Sequence, residues 1–270
     1  ILHDQRPDRA RTITVSVGAA FSADIADGKV ERLITEADRA LYSAKAGDRN
    51  CVRVFDKADP ERLDEDETVA ALLKTAIEQD RVALVYQPIR CARTDAVVAA
   101  EALMRLKTQS GKFVSPAVFI PIAEQSGTIV DLGKWAIRQA CREMIATDLV
   151  EIVSVNLSAV QLKMPGFPLT VAAILGETGV NPRRLALEIT EGREIESQPE
   201  ILKTIGELKA LGVQIWLDDF GTGFAGLSCI REIAFDMVKV DRSFLHASHT
   251  PRGAAMLRDI IDLINNAGHA

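Results

Sequence analysis

The sequence predicts an α/β fold preceded by a smaller α+β segment, on three observations. From Thr68 onward, runs of β-branched residues alternate with helical periodicity, the pattern of strands joined by helical crossovers. Apolar residues make up 47% of the 270 and charged residues 26%, enough for a sizeable core. The longest uncharged run, 164–176, is shorter than the ~18 apolar residues of a spanning helix and holds Pro165 and Pro168, so no membrane contact is expected within this segment. Third, five apolar strand-like runs each lead into an oxygen-bearing or charged side chain.

The elements follow in order. Thr12-Ile13-Thr14-Val15-Ser16-Val17-Gly18 alternates β-branched and small polar residues and predicts a strand over 12–18. Leu33, Ala37, Leu41 and Ala44 share a helical face, with Gly47 as the residue that ends it. A short strand is expected over 51–55. The charged stretch 56–66, with Pro60, marks a domain boundary, giving domains 1–57 and 58–270. A helix bearing Leu72, Leu73, Ala76 and Ile77 then leads into a strand over 82–86, with another over 97–100. Ser115-Pro116 opens a helix that Gly127 closes, and the next carries Leu132, Trp135, Ala136 and Ala140. Strands recur at 152–155, 185–187, 213–217 and 237–240. Ser197-Gln198-Pro199-Glu200 is a capping box before the helix of Leu202, Ile205 and Leu208, which Gly212 ends. Strand–helix alternation implies parallel pairing.

The net charge of −6 and a pI near 5.4 exclude a protein that coats DNA or RNA, but leave room for a small nucleotide held by a few groups or by metal ions. Cys51, Cys91, Cys141 and Cys229 are far apart with no CxxC pair, so they read as reduced, buried thiols of a cytoplasmic protein. The chain opens on Ile1-Leu2-His3-Asp4 without a leader pattern and stops just after an apolar helical pattern, so it reads as cut at both ends.

The chemistry lies where the strands finish. The run 97–100 leads into Glu101, 152–155 into Asn156, 185–187 into Glu188 with Glu191 a turn later, and 213–217 into Asp218-Asp219. Lys239 and Asp241 alternate at the last strand. In a parallel barrel these ends gather at one mouth. Singly, Glu101 reads as a loop residue, Asn156 as a turn, and Glu191 and Asp241 as helix starts. Jointly, oxygen ligands without His or Cys suit Mg²⁺ or Mn²⁺. Adjacent Asp218 and Asp219 are not expected to share one face of a strand, but can straddle two ions as in a two-metal site.

These motifs resemble the EAL-domain phosphodiesterases of cyclic di-GMP signalling. Glu101-Ala102-Leu103 with Arg105 matches the family's name motif, and Tyr86-Gln87-Pro88-Ile89 its first strand. Asn156-Leu157-Ser158, Glu188-Ile189-Thr190-Glu191, the run 218–227 and Lys239-Val240-Asp241-Arg242-Ser243-Phe244 match in order, over about residues 61–270. Residues 1–57 resemble the end of a GGDEF domain, the diguanylate cyclase family, through Thr14-Val15-Ser16-Val17-Gly18-Ala19, the run 37–45 and Gly47-Asp48-Arg49-Asn50.

The resemblance implies a TIM-like (β/α) barrel of the EAL type with about six of eight strands, preceded by an α+β fragment of a GGDEF-like domain. Glu101, Asn156, Glu188 and Asp218 would ligate one Mg²⁺ or Mn²⁺, with Asp218 or Asp219 reaching a second ion and Asp241 a further member of the shell. Lys239 would hold or deprotonate the attacking water, Asp219 would share in catalysis, and Glu191 would brace the glycine-rich loop. Gln87, Leu103 and Arg105 would contact cyclic di-GMP, Arg105 through its planar fork. The implied reaction is metal-dependent hydrolysis of one phosphodiester of cyclic di-GMP to the linear dinucleotide. The family's EGVE-like and QG-like motifs have no match in this sequence, so little or no turnover is expected of this stretch. A catalytically silent cyclic di-GMP receptor is the alternative, and an aldolase- or enolase-type barrel a weaker one. A homodimer through the helix after Lys239 is a further expectation.

Overall fold

The computed structural model describes residues 2–3, 12–13, 15–21, 23, 30–46, 51–55, 60–190, 198–221 and 226–268. They form two compact units, one of Ile1–Arg81 with Arg105–Ser126 and one of Val82–Met104 with Gly127–Ala270.

In the first unit, β1 (Leu2–His3) pairs antiparallel with β2 (Thr12–Ile13). β3 (Val17–Ala19) and β4 (Val52–Val54) pair in parallel across the helix Val30–Ala46, a β–α–β unit. The strand expected over 12–18 is thus two strands, with Thr14 outside the described residues, as are Gly47 and its neighbours to Asn50. Gly18 lets β3 lie directly on that helix: a Cβ there would sit 2.1 Å from the Ala37 carbonyl oxygen. Ala40 and Phe55 are the buried centre, with Leu33 and Ala20 against them. The helix Pro60–Thr75 packs on the helix Pro116–Ser126.

The main sheet is built from β5 (Val82–Arg90), β6 (Val97–Lys107), β7 (Phe113–Val114), β8 (Ile152–Asn156), β9 (Leu185–Thr190), β10 (Gln214–Phe220) and β11 (Met237–Val240). Its order is β11-β10-β9-β8-β6-β5, with β7 antiparallel on the end of β6. The sheet is open, with β5 and β11 at opposite ends of that order. Pairing is parallel from β6 through β11, as alternation with helices requires.

The β5–β6 pair departs from that expectation. Its connection, 91–96, is too short for a crossover, and bonds from Cys91 N–H to the Ala96 carbonyl (2.9 Å) and Lys107 N–H to the Arg81 carbonyl (2.8 Å) bracket an antiparallel hairpin. Both strands also outrun the apolar stretches that predicted them.

The apolar stretches of β6 and of β8 through β11 are covered on both faces. One face, with Ala100, Val153, Leu185, Leu187, Ile215 and Leu217, packs on Ile137, Val171, Ile174, Ile201 and Leu208 of the covering helices. The other carries Ala99, Ala186 and Trp216, with Ile89, Ile152 and Met237 against them. Helix ends follow the sequence signals at Gly127 (φ +77°) and Gly212 (φ +92°). Ser197 lies outside the described residues, and the helix Pro199–Ala210 starts from Gln198 as N-cap. Cys141 and Cys229 are buried, while Cys51 and Cys91 are only half-buried, against the expectation of burial for all four. Among the described residues no helix is long and apolar enough to cross a membrane.

Candidate metal centre

Along a strand, residues two apart share a face. Two positions beyond Ala99, Ile152, Ala186, Trp216 and Met237 of the apolar layer stand Glu101, Ser154, Glu188, Asp218 and Lys239. The strand register is staggered: Glu101 is level with Ser154, Asn156 with Glu188, and Glu188 with Trp216. Such a stagger belongs to a tilted, curving wall, and it draws side chains from separated strands together. Asn156 is the last residue of β8, as the apolar run suggested, but three other functional residues are not at strand ends. Glu101 lies in the middle of β6, and Glu188 and Asp218 each lie inside their strands.

Carboxylate oxygens of Glu101, Glu188 and Asp218 lie within 4.8 Å of one another and could hold a metal ion. The Lys239 ammonium bridges them, at 2.9 Å from Glu101 Oε2, 2.7 Å from Glu188 Oε2 and 3.0 Å from Asp218 Oδ1. Asn156 Nδ2 donates to the other oxygen of Glu101 at 3.0 Å. Burial pushes the Glu188 carboxyl up to about 7 against the pull of Lys239, with the Glu101 charge adding to the rise. Burial works to lower the Lys239 pKa, but Glu188, Glu101 and Asp218 together outweigh it and hold the ammonium above its ordinary range. One lysine faces three carboxylates, so the cluster retains negative charge. Glu188 Oε1 is buried without a hydrogen bond of normal geometry, beside a Ser154 hydroxyl in the same condition. An all-oxygen donor set with surplus charge and an orphaned acceptor fits a hard divalent cation.

Asp218 and Asp219 fall at a break in register: Leu217 pairs with Val238, but Phe220 pairs with Val240. Two residues of β10 therefore oppose one of β11, a β-bulge, and Asp219 takes a left-handed φ of +54°. A bulge loosens strict alternation at this point, and Asp219 is exposed and not among the three converging carboxylates. Loss of water raises the Asp219 pKa, and Asp218 and Asp241 raise it further, as befits a carboxylate at the rim of the cluster. The turn at Gly221 (φ +96°) lies on the Phe244 ring, which a Cβ would meet at 2.3 Å. Asp241 caps the helix Arg242–Ala247, its Oδ1 accepting from Ser243 N–H at 2.8 Å, and it is not among the three converging carboxylates. Hydrogen bonding to the Ser243 side chain first, and then to its N–H, holds the Asp241 carboxyl below the ordinary range.

Ile89 belongs to the apolar layer with Ala99, so Gln87, two residues earlier on the antiparallel strand, faces the level of Glu101 and is exposed there. Leu103 and Arg105 continue the parity of Glu101 along β6. Glu191 lies outside the described residues, as does most of the glycine-rich run after Gly221. Ser154 was not singled out from the sequence. Its signal was parity, two residues before Asn156 on a strand whose inward positions carry the chemistry.

A parallel wall that gathers three carboxylates around a lysine defines a candidate metal centre. The EAL domain model matches residues 70–269, and the chain belongs to the EAL domain family. An uncharacterized signaling protein of Caulobacter vibrioides is 38% identical over 250 residues, 92% of this chain and 31% of that protein. The bifunctional diguanylate cyclase/cyclic di-GMP phosphodiesterase MucR of Pseudomonas aeruginosa is 32% identical over 257 residues, 93% of this chain and 37% of MucR. The chain thus spans about a third of the length of these relatives. A solved structure of the PaMucR phosphodiesterase in complex with c-di-GMP matches with a TM-score of 0.68 and 31% identity, over 74% of this chain and 83% of that one.

Proposed function

We propose that this chain binds cyclic di-GMP and that its centre hydrolyses one phosphodiester bond to give linear pGpG. The reading is carried by the meeting of Glu101, Glu188 and Asp218 around Lys239, on strands within the region the EAL model matches. MucR and its c-di-GMP complex supply the ligand class. Glu101, Asn156, Glu188 and Asp218 would hold one Mg²⁺ or Mn²⁺, and Asp219, at the bulge, would serve a second, with Asp241 a further member of the set. When bound, such ions lower the pKa of water and neutralise charge growing on the phosphate. Lys239, kept protonated by its carboxylates, donates to and orients the attacking water. Water oxygen bonds to phosphorus, the P–O3′ bond breaks, and the proton that the water gives up ends on the departing O3′. Gln87, Leu103 and Arg105 hold the ligand, and Glu191 braces the loop after β10.

The same proposal assigns residues 1–57 to the end of a GGDEF-like domain and 58–270 to a TIM-like EAL barrel, which pairs as a homodimer in the cytoplasm. The open sheet between β5 and β11 favours a second reading for this stretch: binding with little turnover. Calorimetry with cyclic di-GMP in Mg²⁺ and Mn²⁺, followed by chromatography for pGpG, tests both. Metal-dependent binding supports the ligand, and pGpG formation that Asp218→Asn abolishes supports hydrolysis. Absence of binding with either metal overturns the proposal.

A further inference from the structure

β5 stands at the end of the sheet order and has β6 as its neighbour. An end strand is held on one side only, and a slip of one residue exchanges its faces. Yet β5 carries Gln87 toward the cluster and, one residue earlier, Tyr86 toward the covering helices. The Tyr86 hydroxyl donates to Glu143 Oε2 at 2.5 Å, and Gln139 Nε2 donates to Glu143 Oε1 at 2.7 Å. Glu143 lies in a wide π-turn, Cys141–Ile145, that continues the helix Ile129–Ala140 and re-aims the side chains after it. Tyr86 packs on the main core and is half-buried, as is its bond to Glu143. Burial first, and then Glu143, keep that phenol protonated and so a donor.

We infer that Tyr86 is a positioning residue: its tie to Glu143 fixes the rotation of β5 and so presents Gln87 to the ligand. The inference rests on the cyclic di-GMP reading above. The bond is short and charge-assisted, the kind that sets geometry. The tie touches neither the carboxylates nor Lys239, so its effect falls on ligand affinity and leaves the metal centre alone.

Tyr86→Phe removes one oxygen and leaves the ring in the core, and Glu143→Leu cuts the same tie from the helix side. Calorimetry with cyclic di-GMP should show each variant binding about three- to tenfold more weakly than the wild type, in the range for residues that act on a ligand through others. The shift in melting temperature produced by Mn²⁺ should match the wild type, and Glu143→Gln, which keeps an acceptor for the hydroxyl, should bind as the wild type does. Wild-type affinity in both Tyr86→Phe and Glu143→Leu overturns the inference, and so does a parallel loss of the Mn²⁺ shift, which would mark general loosening. A wild-type chain that binds no cyclic di-GMP sinks the functional reading itself, and this inference with it.

Discussion

Two layers of side chains on the same strands, two residues apart, differ in what they do. Ala99, Ile152, Ala186, Trp216 and Met237 close the lower layer with apolar contact. Glu101, Ser154, Glu188, Asp218 and Lys239 form the upper layer, where three carboxylates share one ammonium and buried oxygens lack hydrogen bonds of normal geometry. The lower layer is complete in itself. The upper sets three carboxylates against one ammonium, a surplus of negative charge that could hold an added cation. Separating the two functions needs one strand period, and that is the lesson of the comparison.

Substitutions should break the layers in different ways. The largest loss is expected in the lower one: Trp216→Ala removes a fully buried ring and should cost about 3–5 kcal/mol in urea unfolding. That loss should be the same with and without divalent ions, and dependence on Mn²⁺ would show that the layers are not separable. Next, Lys239→Met leaves three carboxylates facing one another. It should lose about 3 kcal/mol in chelator and recover most of it in millimolar Mn²⁺, since the metal replaces the missing positive charge. Equal stability in both conditions would mean that Lys239 does not neutralise the cluster. The smallest effect is expected at the bulge. Asp219→Gly relieves a left-handed φ and should gain about 1 kcal/mol in chelator while reducing Mn²⁺-dependent hydrolysis. A gain without any loss of turnover would remove Asp219 from the centre.

Much of this was legible in the sequence because it depends on period and order. Alternating strands and helices gave the α/β architecture, and the positions of Glu101, Glu188, Asp218 and Lys239 on successive apolar runs pointed to one gathering place. Reading stopped where pairing partners matter. The antiparallel β5–β6 hairpin was marked by its six-residue connection, yet general alternation argued the other way. Apolar run length under-measured β6, because an inward-facing strand that lines a polar mouth carries charge in its middle. The bulge at Asp218-Asp219 depends on the register of β11 against β10, which no local pattern of β10 displays. Tyr86 and Glu143 are 57 positions apart, and a π-turn sets their meeting, so neither residue advertised the other.

Titration of the purified chain with Mn²⁺ while following thermal unfolding tests the central claim most directly, with Glu188→Gln and Asp218→Asn alongside. A cation that binds only the folded chain stabilises it by about 2.7 kcal/mol at one hundred times its dissociation constant. The wild type should show a saturable rise in melting temperature that both variants lose. A wild-type melting temperature indifferent to Mn²⁺ and Mg²⁺, or an equal rise in all three chains, would contradict a cation site built by the upper layer.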